Sequence, residues 1–202
     1  MSLPRSSEAT VDEVFLGRWS RRALSTRPIP AESVRSLFEA ARWAPSASNA
    51  QPWLFIFSDD EETLRRARPL VHDRNRVWAD RAPLLIFVFA RRTHPETGKA
   101  LRTGAFDTGA AWFSLALQAH KLGLSTRAMG GINHEATYET FGVPRDLYES
   151  MAGVAVGYPG SREDLPPDVA EREVPSSRRS ASTFVFKGFY RAAPAIANGG
   201  TT

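Results

Sequence analysis

Between Ala31 and Trp43 the apolar residues Val34, Leu37, Phe38 and Ala41 fall three and four positions apart, the spacing of one helix face. Residues 31–43 are therefore predicted to form an amphipathic helix. Trp53–Phe57 is a short apolar run after a proline and predicts a strand. Leu84–Ala90 is apolar at every position, the pattern of a central strand covered on both faces. From about Ala105 to Leu122 the chain is apolar nearly all round, which predicts a buried helix. Its small residues, Gly109, Ala110, Ala111, Ser114 and Ala116, leave room for another backbone, and Gly123 is placed to end it. Further strands are predicted at 124–129 and 151–157, separated by a helix that Asn133 caps and Gly142 stops.

The polar stretches fill in the rest. Thr10 and Glu13 fit a capping box ahead of a short helix that begins at Val14. Residues 1–7 read as frayed and Asp59–Arg68 as a surface helix. His72–Asp80 reads as a charged, aromatic loop, and Thr93–Lys99 as a mobile one. Residues 161–180 are polar and broken by prolines, the composition of an extended linker. Beyond them Phe184-Val185-Phe186 stands alone, and an isolated aromatic strand needs the sheet edge or groove of another chain. Neither a repeat nor a second domain boundary is visible. The reading is one domain over 1–202, with a core at about 12–160 and a linker and C-terminal arm over 161–202.

Composition narrows the function. Of 202 residues, 42% are hydrophobic and 24% charged, as in a soluble globular chain. With no cysteine, thiolate zinc sites and cysteine nucleophiles are excluded, and a reducing cytoplasmic location is the simplest expectation. No apolar run approaches the roughly 20 residues that a spanning helix needs, so no membrane is expected, and the first ten residues do not read as a signal peptide. The formal charge is +4, and only Lys99, Lys121 and Lys187 are lysines. Arginine forks onto phosphate and carboxylate, which favours anionic small molecules, but the charges are too interspersed to indicate nucleic acid.

Residues 44–53, Ala-Pro-Ser-Ala-Ser-Asn-Ala-Gln-Pro-Trp, set Ser46, Ser48, Asn49 and Gln51 between Pro45 and Pro52. Proline fixes its own backbone and pushes the preceding residue out of helical geometry. The product is a stiff loop that presents donors and acceptors in fixed directions, suited to a polar ring such as a flavin. Arg18, Arg21 and Arg22 surround Ser20, a grouping that suits a phosphate monoester, and Arg178-Arg179 could add to it. Gly130-Gly131, at a strand end, lets a ligand approach the backbone. No G-x-G-x-x-G, Walker loop, G-x-S-x-G or H-x-x-x-H occurs, so Rossmann, P-loop, hydrolase-elbow and metal readings find no support.

Three segments in order resemble the nitroreductase family of FMN-dependent oxidoreductases: Arg18-Trp19-Ser20-Arg21-Arg22-Ala23-Leu24, the loop from Ala44 to Trp53, and the helix bearing Asp107, Gly109, Ala111, Leu115, Leu117, Ala119 and Gly123-Leu124. Met129-Gly130-Gly131, Phe141-Gly142-Val143-Pro144 and Val156-Gly157-Tyr158-Pro159 extend the likeness over about residues 12–190. The resemblance implies an α+β fold, a mixed central sheet flanked by helices, in a domain-swapped homodimer whose C-terminal arm crosses to the partner. It implies FMN at the dimer interface and ping-pong hydride transfer from NADH or NADPH to nitroaromatics, quinones or related electron-poor acceptors.

By the same resemblance Arg18, Ser20 and Arg22 hold the flavin phosphate and pyrimidine edge. Pro45, Ser46, Asn49 and Gln51 contact the ring and ribityl chain, the backbone at Gly130-Gly131 faces N5, and Arg178 or Arg179 closes on the phosphate. Stretches 72–80 and 91–103 line the acceptor pocket, and no catalytic side chain is assigned. Trp19, placed with the cofactor-binding residues, stands where the family has a second basic residue. Leu24 replaces a common aromatic, and the usual C-terminal K/R-P-L-x-E-like segment is missing. Related flavin chemistry (dehalogenation, flavin cleavage, heterocycle dehydrogenation) and non-catalytic flavin binding are the alternatives.

Overall fold

The computed structural model of the chain describes residues 5–190, so the first four residues and 191–202, the end of the expected arm, lie outside the description. Four strands, β1 (Trp53–Ser58), β2 (Leu84–Arg91), β3 (Ser125–Met129) and β4 (Tyr148–Gly157), form one sheet in the order β1-β2-β4-β3. Every pairing is antiparallel, for example Phe55 opposite Val88, Phe87 opposite Gly153 and Ala128 opposite Val154. The mixed sheet expected from the family likeness is therefore corrected to an antiparallel one among the described residues.

Side chains alternate across a strand, and β2 serves two cores. Leu85, Phe87 and Phe89 face one, which holds Trp78, Leu64, Tyr138 and Ile132. Leu84, Ile86 and Val88 face the other, which holds Leu37, Ala111, Leu115 and Leu124. Helices consequently cover both sides. On one side lie α2 (Ala31–Arg42) and α5 (Gly104–Lys121). On the other lie α3 (Glu61–Ala67), α4 (Asp73–Ala79), α6 (His134–Phe141) and the short α7 (Pro167–Ala170). Phe87 is 1% exposed, and truncating such a ring to alanine costs about 3–5 kcal/mol.

Local signals explain most boundaries. The Asn133 carboxamide caps α6 by accepting from the Ala136 N–H, and Gly142 ends it at φ 65°. The short α1 (Glu13–Gly17) is capped by Asp12, which accepts from the Val14 N–H, and not by Thr10. Asp12 is one residue before the helix, where its carboxylate meets the free first-turn amides; Thr10 is too far back.

Two further expectations are corrected. Residues 72–80 are largely helical (α4), because Trp78 and Ala79 are buried and fix a helical face. The linker read over 161–180 is in part packed: Leu165 and Val169 join the core beside α4. Phe184–Phe186, expected to lie on another chain, follows a 3-10 turn at Ala181–Thr183 and pairs with no strand of its own chain among the described residues.

The long helix α5 is buried on one face only. Phe106 is 80% exposed and Phe113 is 41% exposed, and Gly109 lies open between them. Phe15 from α1 stacks on Phe113 with ring centroids 6.3 Å apart.

Candidate functional site

The segment after α1 is threaded as an extended edge. The Ser25 N–H donates to the Tyr158 carbonyl at 2.9 Å, and the Gly160 N–H donates to the Ala23 carbonyl at 2.9 Å. Leu24 is fully buried, and a Cβ at Gly160 would come within 2.7 Å of its backbone, so this crossing requires glycine. Held in this way, Arg22 extends along the floor of a trough. Glu173 locks it from behind: its carboxylate accepts from the Arg22 N–H at 2.9 and 3.0 Å and from the Ala23 N–H at 3.0 Å. The Arg22 guanidinium donates to the Arg172 carbonyl at 2.9 Å.

The trough comprises two adjoining hollows. One, of about 340 Å³, is bounded by Arg22, Arg74, Asn75, Trp78, Arg127, Gly130, Gly131 and Arg172. The other, of about 420 Å³, is bounded by Arg5, Trp19, Ser20, Arg22, Arg127, Arg172, Ser176 and Arg178. They share Arg22, Arg127 and Arg172. Arg127 projects from β3, donates to the Ser20 carbonyl at 2.6 Å, and lies over the Trp78 ring at 5.4 Å. Arg5 donates to the carbonyls of Arg18 and Ser176 at 2.7 and 3.1 Å, joining both ends of the described chain at the trough.

The site is net cationic, since the second hollow is bounded by five arginines and one carboxylate, Glu171. Burial, then the neighbouring Arg5 and Arg178, hold the Arg18 guanidinium below its usual pKa. Burial, then Arg22, do the same to Arg127, with Glu173 opposing. Desolvated like charges so close together favour an anionic occupant.

At the far end Gly130 and Gly131 follow β3. The Gly131 carbonyl accepts from the His72 N–H at 3.0 Å and from Asn75 Nδ2 at 3.3 Å. A Cβ at Gly131 would come within 2.6 Å of Asn75 Nδ2, whereas Gly130 faces open space. Among the described residues, neither glycine's N–H donates to any backbone or side-chain acceptor. Gly131 is largely buried yet borders the first hollow, so its unpaired N–H is open to an occupant of the trough.

Of the residues singled out from sequence, Trp19, Ser20, Arg22, Gly130, Gly131 and Arg178 line this trough. Arg18 lines a smaller hollow next to it, with Trp19. Arg179 turns away and lies over the Phe184 ring at 5.6 Å. Pro45, Ser46, Asn49 and Gln51 border neither hollow. Their loop is anchored instead to α5, where the Ala47 N–H donates to Asp107 Oδ2 at 3.1 Å. It is backbone-strained, with Ser48, Asn49 and Gln51 at φ 51°, 54° and 45°. Three non-glycine residues in the left-handed region within four positions are uncommon, and the turn is closed by the Gln51 N–H donating to Ser46 Oγ at 3.0 Å. No group of three or more metal-ligating side chains occurs among the described residues, and no helix there is long and apolar enough to cross a membrane.

The family model described as "Nitroreductase family" matches residues 16–77 and 73–158, which hold the whole sheet and the trough residues from Trp19 to Gly131. The chain belongs to the nitroreductase family. A crystal structure of an oxidoreductase containing FMN is 42% identical to this family member, covers 96% of it and 99% of its own chain, and superposes with a TM-score of 0.90. A nitroreductase family protein from Clostridium difficile 630 is 25% identical, with 88% and 98% covered and a TM-score of 0.68. The FMN reductase [NAD(P)H] of Bacillus subtilis is 23% identical over 172 residues, 77% of this chain and 68% of the relative.

Arg5, Arg74, Asn75, Trp78, Arg127, Arg172 and Ser176 line the trough but are not among the site residues read from sequence. Arg74 and Asn75 fell inside the stretch assigned to the acceptor pocket. Arg127 carried a usable signal, a lone cation within an otherwise apolar and small-residue strand.

Proposed function

We propose that this chain is an FMN-dependent NAD(P)H oxidoreductase that works as a homodimer. The observation that carries the reading is the trough itself, an arginine-lined channel that ends at two free glycine amides. Its donor set suits FMN, which has a phosphate dianion at one end and ring acceptors at the other. Arg18 and Arg178, with Arg5 behind them, would hold the phosphate, and Trp19 and Ser20 would flank the ribityl chain. Arg22 and Arg127 would supply positive charge to the pyrimidine edge, where a cation favours the reduced ring. The Gly130 and Gly131 amides would face the opposite edge of the ring.

The Pro45–Gln51 loop would reach the partner's ring. Its strained conformation and its distance from the arginines of its own chain both support a shared site. The apolar strip of Phe106, Gly109 and Phe113 would form the dimer seam, and the arm from Phe184 would lie on the partner. Bound FMN supplies hydride acceptance from NADH or NADPH and delivery to a nitroaromatic, quinone or related electron-poor acceptor, in ping-pong order. The chain itself binds, orients and desolvates.

The test is direct. Purified protein is loaded with FMN and mixed anaerobically with NADH or NADPH. Bleaching of the oxidised flavin spectrum, reversed by a quinone or nitroaromatic, is expected. Protein that cannot be loaded refutes the reading, and loaded protein that stays oxidised leaves non-catalytic flavin binding in its place.

A further inference from the structure

His134, the first residue of α6, is half-buried behind Gly130 and is absorbed by none of the roles above. Its Nε2 lies 3.3 Å from the Gly130 carbonyl and its Nδ1 lies 3.1 Å from Ser150 Oγ. A carbonyl only accepts, so Nε2 must carry the proton. In the neutral ring Nδ1 is then the acceptor and the Ser150 hydroxyl the donor. Ser150 is itself placed on β4 by the Tyr138 hydroxyl, which accepts from the Ser150 N–H at 2.9 Å and donates to the Tyr148 carbonyl at 3.3 Å. The ring orientation is thus fixed from the sheet outward.

The Gly130 carbonyl belongs to the same planar peptide unit as the Gly131 N–H, and in a trans peptide the two point to opposite sides. The carbonyl also accepts from the Ile132 N–H at 3.0 Å. Two donors on one side of the peptide hold its plane and polarise it, which strengthens the N–H on the other side as a donor. That N–H is the unpaired donor at the first hollow of the trough.

We infer that His134 is a positioning residue: together with Ser150 it clamps the Gly130 carbonyl so that the Gly131 N–H is aimed and polarised toward the bound flavin ring. The flavin part of this inference rests on the proposed function; the clamp does not. No acid–base step is assigned to His134.

The experiment has two arms. In the first, nitrogen-15 NMR of the wild-type apoprotein at pH 8 is expected to show His134 in the Nε2–H tautomer. His134→Leu is expected to shift the Gly131 amide resonance. An Nδ1–H tautomer, or a Gly131 amide unmoved by the substitution, overturns the clamp whether or not flavin binds.

In the second arm, FMN is titrated into apoprotein and followed by flavin fluorescence. Loss of one well-aligned, polarised donor is expected to weaken binding by about tenfold in His134→Leu. Ser150→Ala is expected to fall between it and wild type. His134→Gln, whose amide can still donate to the carbonyl, is expected to recover to within about threefold of wild type. His134→Leu that loses thermal stability but binds FMN as tightly as wild type has only a structural role, and the inference fails. Wild-type protein that binds no FMN defeats the flavin reading instead, and the first arm alone then decides the clamp.

Discussion

Glu173 gives the sharpest stability prediction. Its side chain is only 3% exposed, and its carboxylate accepts from the Arg22 N–H with both oxygens and from the Ala23 N–H with one. The Arg22 guanidinium lies 3.8 Å away. Glu173→Ala strands two backbone donors and removes the one carboxylate that offsets the charge of Arg127. A stranded buried donor costs about 1–3 kcal/mol, and breaking a buried ion pair costs about 3–5 kcal/mol. The two figures describe overlapping losses and the Arg22 side chain is 17% exposed, so about 3 kcal/mol is expected rather than the sum. For a chain of this length that lowers Tm by roughly 6–12 °C. Glu173→Gln retains one oxygen for both N–H groups but sets an amide against the Arg22 N–H, and about 1–2 kcal/mol is expected. The assay is urea unfolding at one fixed protein concentration, with the slope m checked for constancy. A Glu173→Ala midpoint equivalent to less than about 1 kcal/mol of loss would show that water satisfies the stranded donors and that the Glu173 lock is incidental.

Ser48 sits at φ 51° in an exposed turn; Ser48→Val is expected to cost about 1–2 kcal/mol and Ser48→Gly almost nothing, by the same urea assay. The pKa of His120 is lowered by burial first and then by Arg18 and Arg21. The unfolded state therefore binds its proton more readily, and stability falls as pH drops below about 6.5. His120→Gln is expected to lack that component in Tm measured from pH 8 to 5, and an unchanged pH slope would refute it. Phe106→Asp with Phe113→Asp puts charge on the exposed strip of α5 and is expected to convert the proposed dimer to monomer in light scattering; a dimer that survives both changes places the seam elsewhere.

The fold was legible where one periodicity dominated. The all-apolar run of β2 announced its central place, and the spacing of Val34, Leu37 and Ala41 announced α2. Legibility failed where tertiary packing overrode local polarity. Residues 72–80 carry Asp73, Arg74, Arg76 and Asp80 and look like a loop, yet the single buried indole of Trp78 fixes a helix there. Leu165 and Val169 are isolated in a polar stretch, and only the surface left open beside α4 makes them core. The sheet's antiparallel order has no local signature, because the crossovers through α3 and α4 and through α5 fit either sense. The candidate site divides in the same way. Gly130-Gly131 and Arg18–Arg22 were visible as dense local groups. Arg74, Arg127 and Arg172 lie on three separate elements and become a group only when folded.

The same folding that gathers those arginines explains why Arg178 and Arg179, adjacent and identical in sequence, part company. Arg178 donates to Ser176 and lies beside Arg5 and Arg18, whose guanidinium pKa values are lowered by burial first and then by neighbouring arginines, Arg178 among them. Arg179 faces outward onto an aromatic ring. Repulsion among Arg5, Arg18 and Arg178 would spread them in a chain selected for stability alone. Here the backbone carbonyls of Arg18, Leu16 and Ser176 hold Arg5 in place against it. Like charges gathered in this way raise the local positive potential and favour an anion there. Arg178 is therefore the better choice of the pair for the phosphate of the proposed FMN, a choice that follows from where its neighbours lie and not from its own sequence context.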